Sequence, residues 1–393
     1  MIHICCWGIL SGQAHEHKCG LDHSAVSPWR HTFPHTLPTA DLRGDTLCII
    51  PVVVHIVWHR DHPEENIPDW QVASQIDILN ETFRKRNENL ARVPSEFRDD
   101  AADVGFEFCL VATNRFVTRY DSIGNIFSVR DNMGEKRLFR TDLGGADAWA
   151  VEEYLNIWVA NTGSEFLGFG TLPDPDFRSR NQLRPYEDGI VINPRHFGYT
   201  CYEPYHLGRV VTHEVGHYFN LPHIWGNRRG CDVDDGIADT PPQLDRYDAC
   251  PDYPAISCAS SDMFMNYMDN TWDECQMFFT NGQKARMRET LVLYRTELAN
   301  SNKCEVIPPS DENSLQLLPN PAHDAVEIVF DYPQRADIVL EVFDTAGRRI
   351  YAASGCTGNV ASLPTLYWAE GIYLVSIFVD DQVFTEKLMV RHE

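Results

Sequence analysis

Hydrophobic and polar positions change regime several times along the chain. Residues 49–58 form an apolar run rich in β-branched side chains, which predicts a strand. Residues 70–83 then shift to helical spacing, with Val72, Ile76, Leu79 and Phe83 on one face. Further strands are predicted at 104–112 and 155–160, and a helix at 207–219, so residues 48–305 read as one mixed sheet-and-helix domain. Residues 307–313 turn to Pro, Ser, Asp, Glu and Asn, which is linker chemistry. Beyond them, β-rich runs at 325–330, 338–343, 371–379 and 383–390, separated by turns, predict a small β-sandwich over 306–393.

The first 47 residues fit neither pattern. Residues 2–10 are apolar and are followed by Gly12 and Ala14 at the small-residue spacing of a cleavage site, so 1–14 reads as an export signal, although no Lys or Arg lies near its start. Residues 15–47, rich in His and Pro and without a period, read as a pro-segment.

Composition narrows the functional classes. With 393 residues the chain has room for two domains. A formal charge of −24 repels phosphate backbones and argues against nucleic acid as a partner. No stretch reaches the roughly 18 consecutive apolar residues of a transmembrane segment. Twelve cysteines point to an oxidising compartment.

The densest chemistry is His213-Glu214-Val215-Gly216-His217, followed six residues later by His223. Four residues apart on a helix, His213 and His217 share a face and can present two imidazole nitrogens to one Zn²⁺, with Glu214 beside the open coordination position. For His223 to become the third ligand the chain must leave the helix and turn back. Asn220 tolerates the left-handed conformation this requires, and Pro222 stops the helix from resuming. Chance gives such a motif with a probability of roughly 0.04 in a chain this long, and about 0.002 with the third His included. Three neutral imidazoles leave the full charge on the zinc, which acidifies a water in the fourth position; Glu214 can take its proton and pass it to a leaving amine. The reaction class is amide hydrolysis.

The run HEVGHYFNLPH at 213–223 and Met-Asn-Tyr-Met at 265–268 resemble the pappalysin branch of the metzincin metallopeptidases, close to the bacterial cytophagalysins. Blocks at 52–59, 75–87, 154–161, 236–243 and 275–287 extend that resemblance over about residues 48–300. It implies an α+β, metzincin-like catalytic domain: a mixed twisted sheet, an active-site helix and a loop-rich lower part. The implied activity is that of a secreted zinc endopeptidase acting on proteins or peptides. Met268 resembles the methionine that floors the zinc site. Asn270 stands where many relatives carry an oxyanion-stabilising Tyr, and this departure is the one feature favouring the rival reading, an inactive metzincin-fold binding or adhesion protein. The strand at 155–160 resembles the cleft edge, where substrate would add as a strand.

Some relatives cut next to Lys or Arg using an acidic residue shortly after the Met-turn. Asp269, Asp273 and Glu274 are the candidates here, the alternative being a solvated acidic loop. Asp234, Asp235, Asp239 and Thr240 cluster oxygen ligands around Gly236 and resemble the family's structural Ca²⁺ region; a solvated charge run is the competing interpretation. Cys19, in the pro-segment, can offer a thiolate to the zinc as a latency switch. By resemblance, Cys231 pairs with Cys258 and Cys250 with Cys275. The order of LLPNP at 317–321, VFDTAGR at 342–348, GIYLV at 371–375 and KLMV at 387–390 resembles the sorting domain of the type IX secretion system. That implies Sec export, translocation by secretion machinery, and a secreted or cell-surface location.

Overall fold

The computed structural model describes residues 17–19 and 47–392, apart from 132, 164–165, 174–184, 305–314, 324, 331–337, 357–359, 366–367 and 380–381. The stretch expected to be an export signal, most of that expected to be a pro-segment and the expected linker at 307–313 lie outside the described residues.

In chain order the elements before residue 305 run β1 (His17–Cys19), β2 (Cys48–His59), α1 (Asp69–Phe83), β3 (Phe106–Thr118), β4 (Leu155–Ala160), β5 (Phe166–Gly170), β6 (Ile190–Ile192), α2 (Arg209–Tyr218), β7 (Ile256–Ser257), β8 (Ser260–Ser261), α3 (Asn281–Tyr294) and α4 (Thr296–Ala299). One sheet has the order β1-β5-β6-β4-β2-β3. Strands β3, β2, β4 and β6 are parallel, whereas β5 is antiparallel to β6 and forms the rim next to α2. Strand β2 reads as a continuous apolar run because both of its faces are covered: Ile50, Val52, Val54 and Ile56 join the core beneath α1 and α2, while Val57 joins a second core with Trp158 and Phe139. All four residues assigned to the inner face of α1 are buried against that first core.

Strand β3 runs six residues past its predicted end, because its polar-looking continuation stays in register with β2 up to His59–Thr118. Helix α3 carries a capping box: Thr280 accepts from the Gln283 amide, and the Gln283 side chain accepts from the Thr280 amide.

Disulfides Cys231–Cys258 and Cys250–Cys275 are present, and a third, Cys109–Cys304, joins β3 to the end of the catalytic region. The C-terminal region is an all-β sandwich of β9 (Leu315–Leu318), β10 (Ala325–Phe330), β11 (Ile338–Asp344), β12 (Arg349–Cys356), β13 (Val360–Pro364), β14 (Gly371–Val379) and β15 (Gln382–Val390). Its two antiparallel sheets, β13-β10-β9 and β12-β11-β14-β15, enclose Leu317, Val326, Ile328, Val342, Val375 and Leu388.

Candidate metal centre and active site

Helix α2 carries His213, Glu214 and His217, all fully buried. It ends where the sequence predicts a reversal. Asn220 adopts φ +72°, and the Leu221 amide donates to the Gly216 carbonyl at 2.9 Å, turning the chain so that His223 comes back to the helix.

The three Nε2 atoms of His213, His217 and His223 lie 3.1, 3.1 and 3.2 Å apart. The Nδ1 of His213 faces the Tyr267 carbonyl at 2.8 Å and that of His217 faces the Leu221 carbonyl at 2.6 Å. A carbonyl only accepts, so each of these Nδ1 atoms carries the proton and each Nε2 turns a lone pair inward. Converging lone pairs repel unless a cation sits among them. Donor separations near 3.3 Å are also what zinc–nitrogen bonds of 2.0–2.1 Å produce, so these residues fit a zinc ion. Trp225 stacks on the His223 ring, with centroids 4.2 Å apart.

Beneath the histidines, Gly216 allows Met268 to approach: a Cβ there would lie 2.4 Å from the methionine sulfur. The Met268 amide donates to Asn266 Oδ1, and Asn266 exchanges two hydrogen bonds of 2.9 Å with Gln283, the capping residue of α3. The methionine turn is thereby tied to a helix start.

Above Glu214 runs β5, which the sequence reading missed. Its five residues include Gly168 and Gly170, and a Cβ on Gly168 would lie 3.0 Å from Glu214 Cγ, while one on Gly170 would lie 2.5 Å from the Glu214 carbonyl. The only signal in the sequence was that pair of glycines two apart. The backbone of β1 adds to the outer edge of β5 in parallel, with Cys19 opposite Gly168. The backbone at Cys19, the residue expected to act as a latency switch, thus pairs with the strand that covers Glu214. The edge expected at 155–160 is interior, because β4 is flanked by β2 and β6.

Arg295 was likewise invisible in the sequence. Its guanidinium reaches Asp188 at 2.8 and 3.1 Å and the Tyr218 carbonyl at 3.1 Å, lying 3.3 Å over the Tyr218 ring. Asp188 also accepts from the Thr171 hydroxyl at 2.6 Å, so one buried ion pair holds the C-terminal end of α2 against the end of the rim strand.

The acidic candidates separate. Asp269 is buried and accepts from Gln243, from the Tyr247 amide and from the Asn270 amide, so its carboxylate is committed internally. Asp273 is buried with Oδ2 accepting from the Leu207 and Arg209 amides, while its Oδ1 has no partner. Glu274 is exposed and lines a cleft of about 610 Å³ with Arg209, Tyr199 and Glu88. Asn270 is buried, and its Oδ1 is unpartnered.

In the Asp-rich loop, both oxygens of Asp239 are taken by the Thr280 hydroxyl and the Gly282 amide, each at 2.7 Å; this residue caps α3. The Thr240 hydroxyl donates to Asp235 Oδ1 at 2.7 Å and to the Ile237 carbonyl at 2.8 Å. Asp234 Oδ1 accepts from the Gly236 amide. Asp235 Oδ2 is buried without a partner, and burial pushes that carboxyl up to about 7.

Comparison with known proteins agrees with this geometry. Residues 141–292 match the peptidase family described as Pregnancy-associated plasma protein-A, and residues 316–391 match the Secretion system C-terminal sorting domain. An extracellular metalloprotease of Arthroderma benhamiae is 32% identical over 231 residues, covering 58% of this chain and 70% of that one. One from Uncinocarpus reesii is 32% identical, covering 61% and 75%. Among solved structures, a glutamate-to-alanine mutant of Tannerella forsythia promirolysin is 34% identical with a TM-score of 0.60, covering 72% of this chain and 98% of that one. Mature mirolysin in complex with a cleaved peptide is 37% identical with a TM-score of 0.56, covering 65% and 99%.

Proposed function

The chain belongs to the pappalysin family of zinc metallopeptidases and is a zinc metalloendopeptidase; from that premise we propose that Glu214 is its catalytic base and that His213, His217 and His223 are the zinc ligands. The observation that carries this reading is the inward convergence of three Nε2 atoms beside a buried glutamate. A zinc ion there supplies a fixed positive charge that polarises the scissile carbonyl and acidifies a water. The chain's own residues do the rest. Glu214 accepts the proton of the attacking water and returns it to the leaving nitrogen. Burial against Gly168 and Gly170 keeps its carboxylate at the rim strand, where an extended peptide adds to β5 as a further strand. Met268 supports the histidines from below through Gly216.

Before maturation the edge of β5 is taken by residues 17–19, which supports latency through Cys19. For Lys or Arg preference next to the cut, the partnerless oxygen of Asp273 and the exposed Glu274 are the residues to use, since Asp269 is committed elsewhere. A structural Ca²⁺ would be held in the 231–240 loop through Asp235, whose buried Oδ2 lacks any other partner, with Asp234 beside it and Thr240 orienting it. The match of residues 316–391 to a sorting domain supports export by type IX secretion after Sec translocation.

The test is casein hydrolysis with parallel zinc analysis. Glu214→Ala should keep one zinc per chain and lose activity by about 10²–10⁴-fold. Unchanged proteolysis in that variant, or a wild type without zinc, overturns the assignment. Cys19→Ala should give a precursor that cleaves peptides without prior maturation.

A further inference from the structure

The geometry points to a second transition-metal site, built from His59, His62 and Asp121, apart from the catalytic centre. Parallel strands deliver their loops to one end of a sheet, and these three residues sit at such an end: His59 closes β2, His62 follows in its loop, and Asp121 lies three residues past β3. Their donor atoms all lie within 4.8 Å of one another.

The arrangement has an inner and an outer layer. Toward the centre, His59 Nε2 and His62 Nε2 stand 3.8 and 3.9 Å from the same oxygen, Asp121 Oδ1. On the far side, each ring has a carboxylate at Nδ1: Asp61 Oδ2 at 4.0 Å from His59 and Glu64 Oε1 at 3.4 Å from His62. At His62 the Glu64 carboxylate behind Nδ1 draws the proton there and frees Nε2, the outer support that metal-binding histidines use. His59 Nδ1 accepts from the Asp61 amide at 3.2 Å, so the neutral ring carries its proton on Nε2 toward Asp121, and a metal binding there would displace that proton.

Distance and charge decide what the site takes. The three catalytic Nε2 atoms stand 3.1–3.2 Å apart, so to reach the separations that bonds of 2.0–2.1 Å impose each histidine must approach Asp121 by about half an ångström, and the two histidines, whose donors lie within 4.8 Å, must close by up to about 1.5 Å. Its side chains are free to do so, since His62 is 47% and Asp121 77% exposed, while His59, at 15%, provides the fixed point. Two imidazoles and one carboxylate select Zn²⁺, Ni²⁺, Co²⁺ or Cu²⁺ over Ca²⁺ or Mg²⁺. Binding would clasp the loops after β2 and β3 together at the mouth of a cleft of about 790 Å³ that His62 also lines.

The experiment titrates Ni²⁺ into the full-length, zinc-loaded chain carrying Glu214→Ala, which prevents self-digestion, and repeats it with His62→Ala or Asp121→Asn added. Histidines among the first 40 residues bind the same background in every form, so the readout is the difference between forms. We expect one equivalent that weakens at least tenfold in each variant, together with a Ni²⁺-induced rise in melting temperature that both variants lose. Asp121→Asn in the chain with Glu214 intact should keep its peptidase activity, which separates this site from the catalytic assignment. An identical Ni²⁺ isotherm and melting shift in all forms would overturn the site.

Discussion

Gly216 and Met268 meet so closely that no side chain fits between them: a Cβ on the glycine would fall 2.4 Å from the methionine sulfur. A flat floor beneath three histidines requires a residue with no side chain on the helix face above it. Gly216→Ala would gain about 1 kcal/mol in helix propensity and lose about 1–3 kcal/mol by overpacking. The variant should melt lower and lose peptidase activity, and adding Met268→Ala should recover part of the stability. Additive losses in the double-mutant cycle would show that the two residues do not act through this contact.

Asn220 holds a left-handed conformation at φ +72°, with its buried Oδ1 unpartnered. Glycine adopts that backbone freely and removes the stranded oxygen, whereas a β-branched residue is strained there. Asn220→Gly should be neutral or stabilising by up to about 1 kcal/mol, and Asn220→Val destabilising by about 1–2 kcal/mol, measured by chemical denaturation.

Asp235 sets a pH dependence. Its carboxyl is raised to about 7 in the folded chain, so the native state holds a proton that the unfolded state releases near pH 4. The folded state is therefore favoured at low pH, and this contribution is lost as pH rises from about 4 to 7, by at most about 4 kcal/mol. In chelator, stability should fall across that window. Calcium should flatten the slope by holding the carboxylate charged, and Asp235→Asn should abolish both the slope and the calcium response. A calcium effect that survives in Asp235→Asn would move the ion elsewhere.

Arg295 is buried with Asp188, and removing one partner leaves the other charge stranded. Arg295→Met should cost about 3–5 kcal/mol, while Arg295→Met with Asp188→Leu should cost less than the single change. Thermal melts of the four forms test this.

A peptide-library profile tests the acidic pocket. Asp273→Asn and Glu274→Gln should each lower the Lys/Arg preference on the primed side of the cut, whereas Asp269→Asn should reduce stability through its three internal hydrogen bonds without changing the profile. A wild-type profile dominated by apolar residues would remove the proposal.

The zinc helix was legible in the sequence because its code is periodic: ligands four apart share a face, and the exit turn needs a residue that tolerates positive φ. Strand β5 was not, since its existence depends on the register with β6 and its composition is two-fifths glycine. The β3 extension looks polar because one side of it faces solvent, and only the pairing with β2 defines it. Helix α3 opens on Asn-Gly, and its start is defined by the Thr280–Gln283 capping box. Asp239 resembled a calcium ligand because the groups it caps, Thr280 and Gly282, lie some 40 residues away. Residues whose partners are distant in sequence, such as Arg295 with Asp188, carry no local signature.

Cys109 is joined to Cys304 across 195 residues, a span that contains His213, His217 and His223, the methionine turn and the rim strand. A single nick anywhere in that span leaves two fragments covalently attached through sulfur. A peptidase surrounded by copies of itself can therefore be clipped in a loop and remain one molecule, separating on a denaturing gel only after reduction.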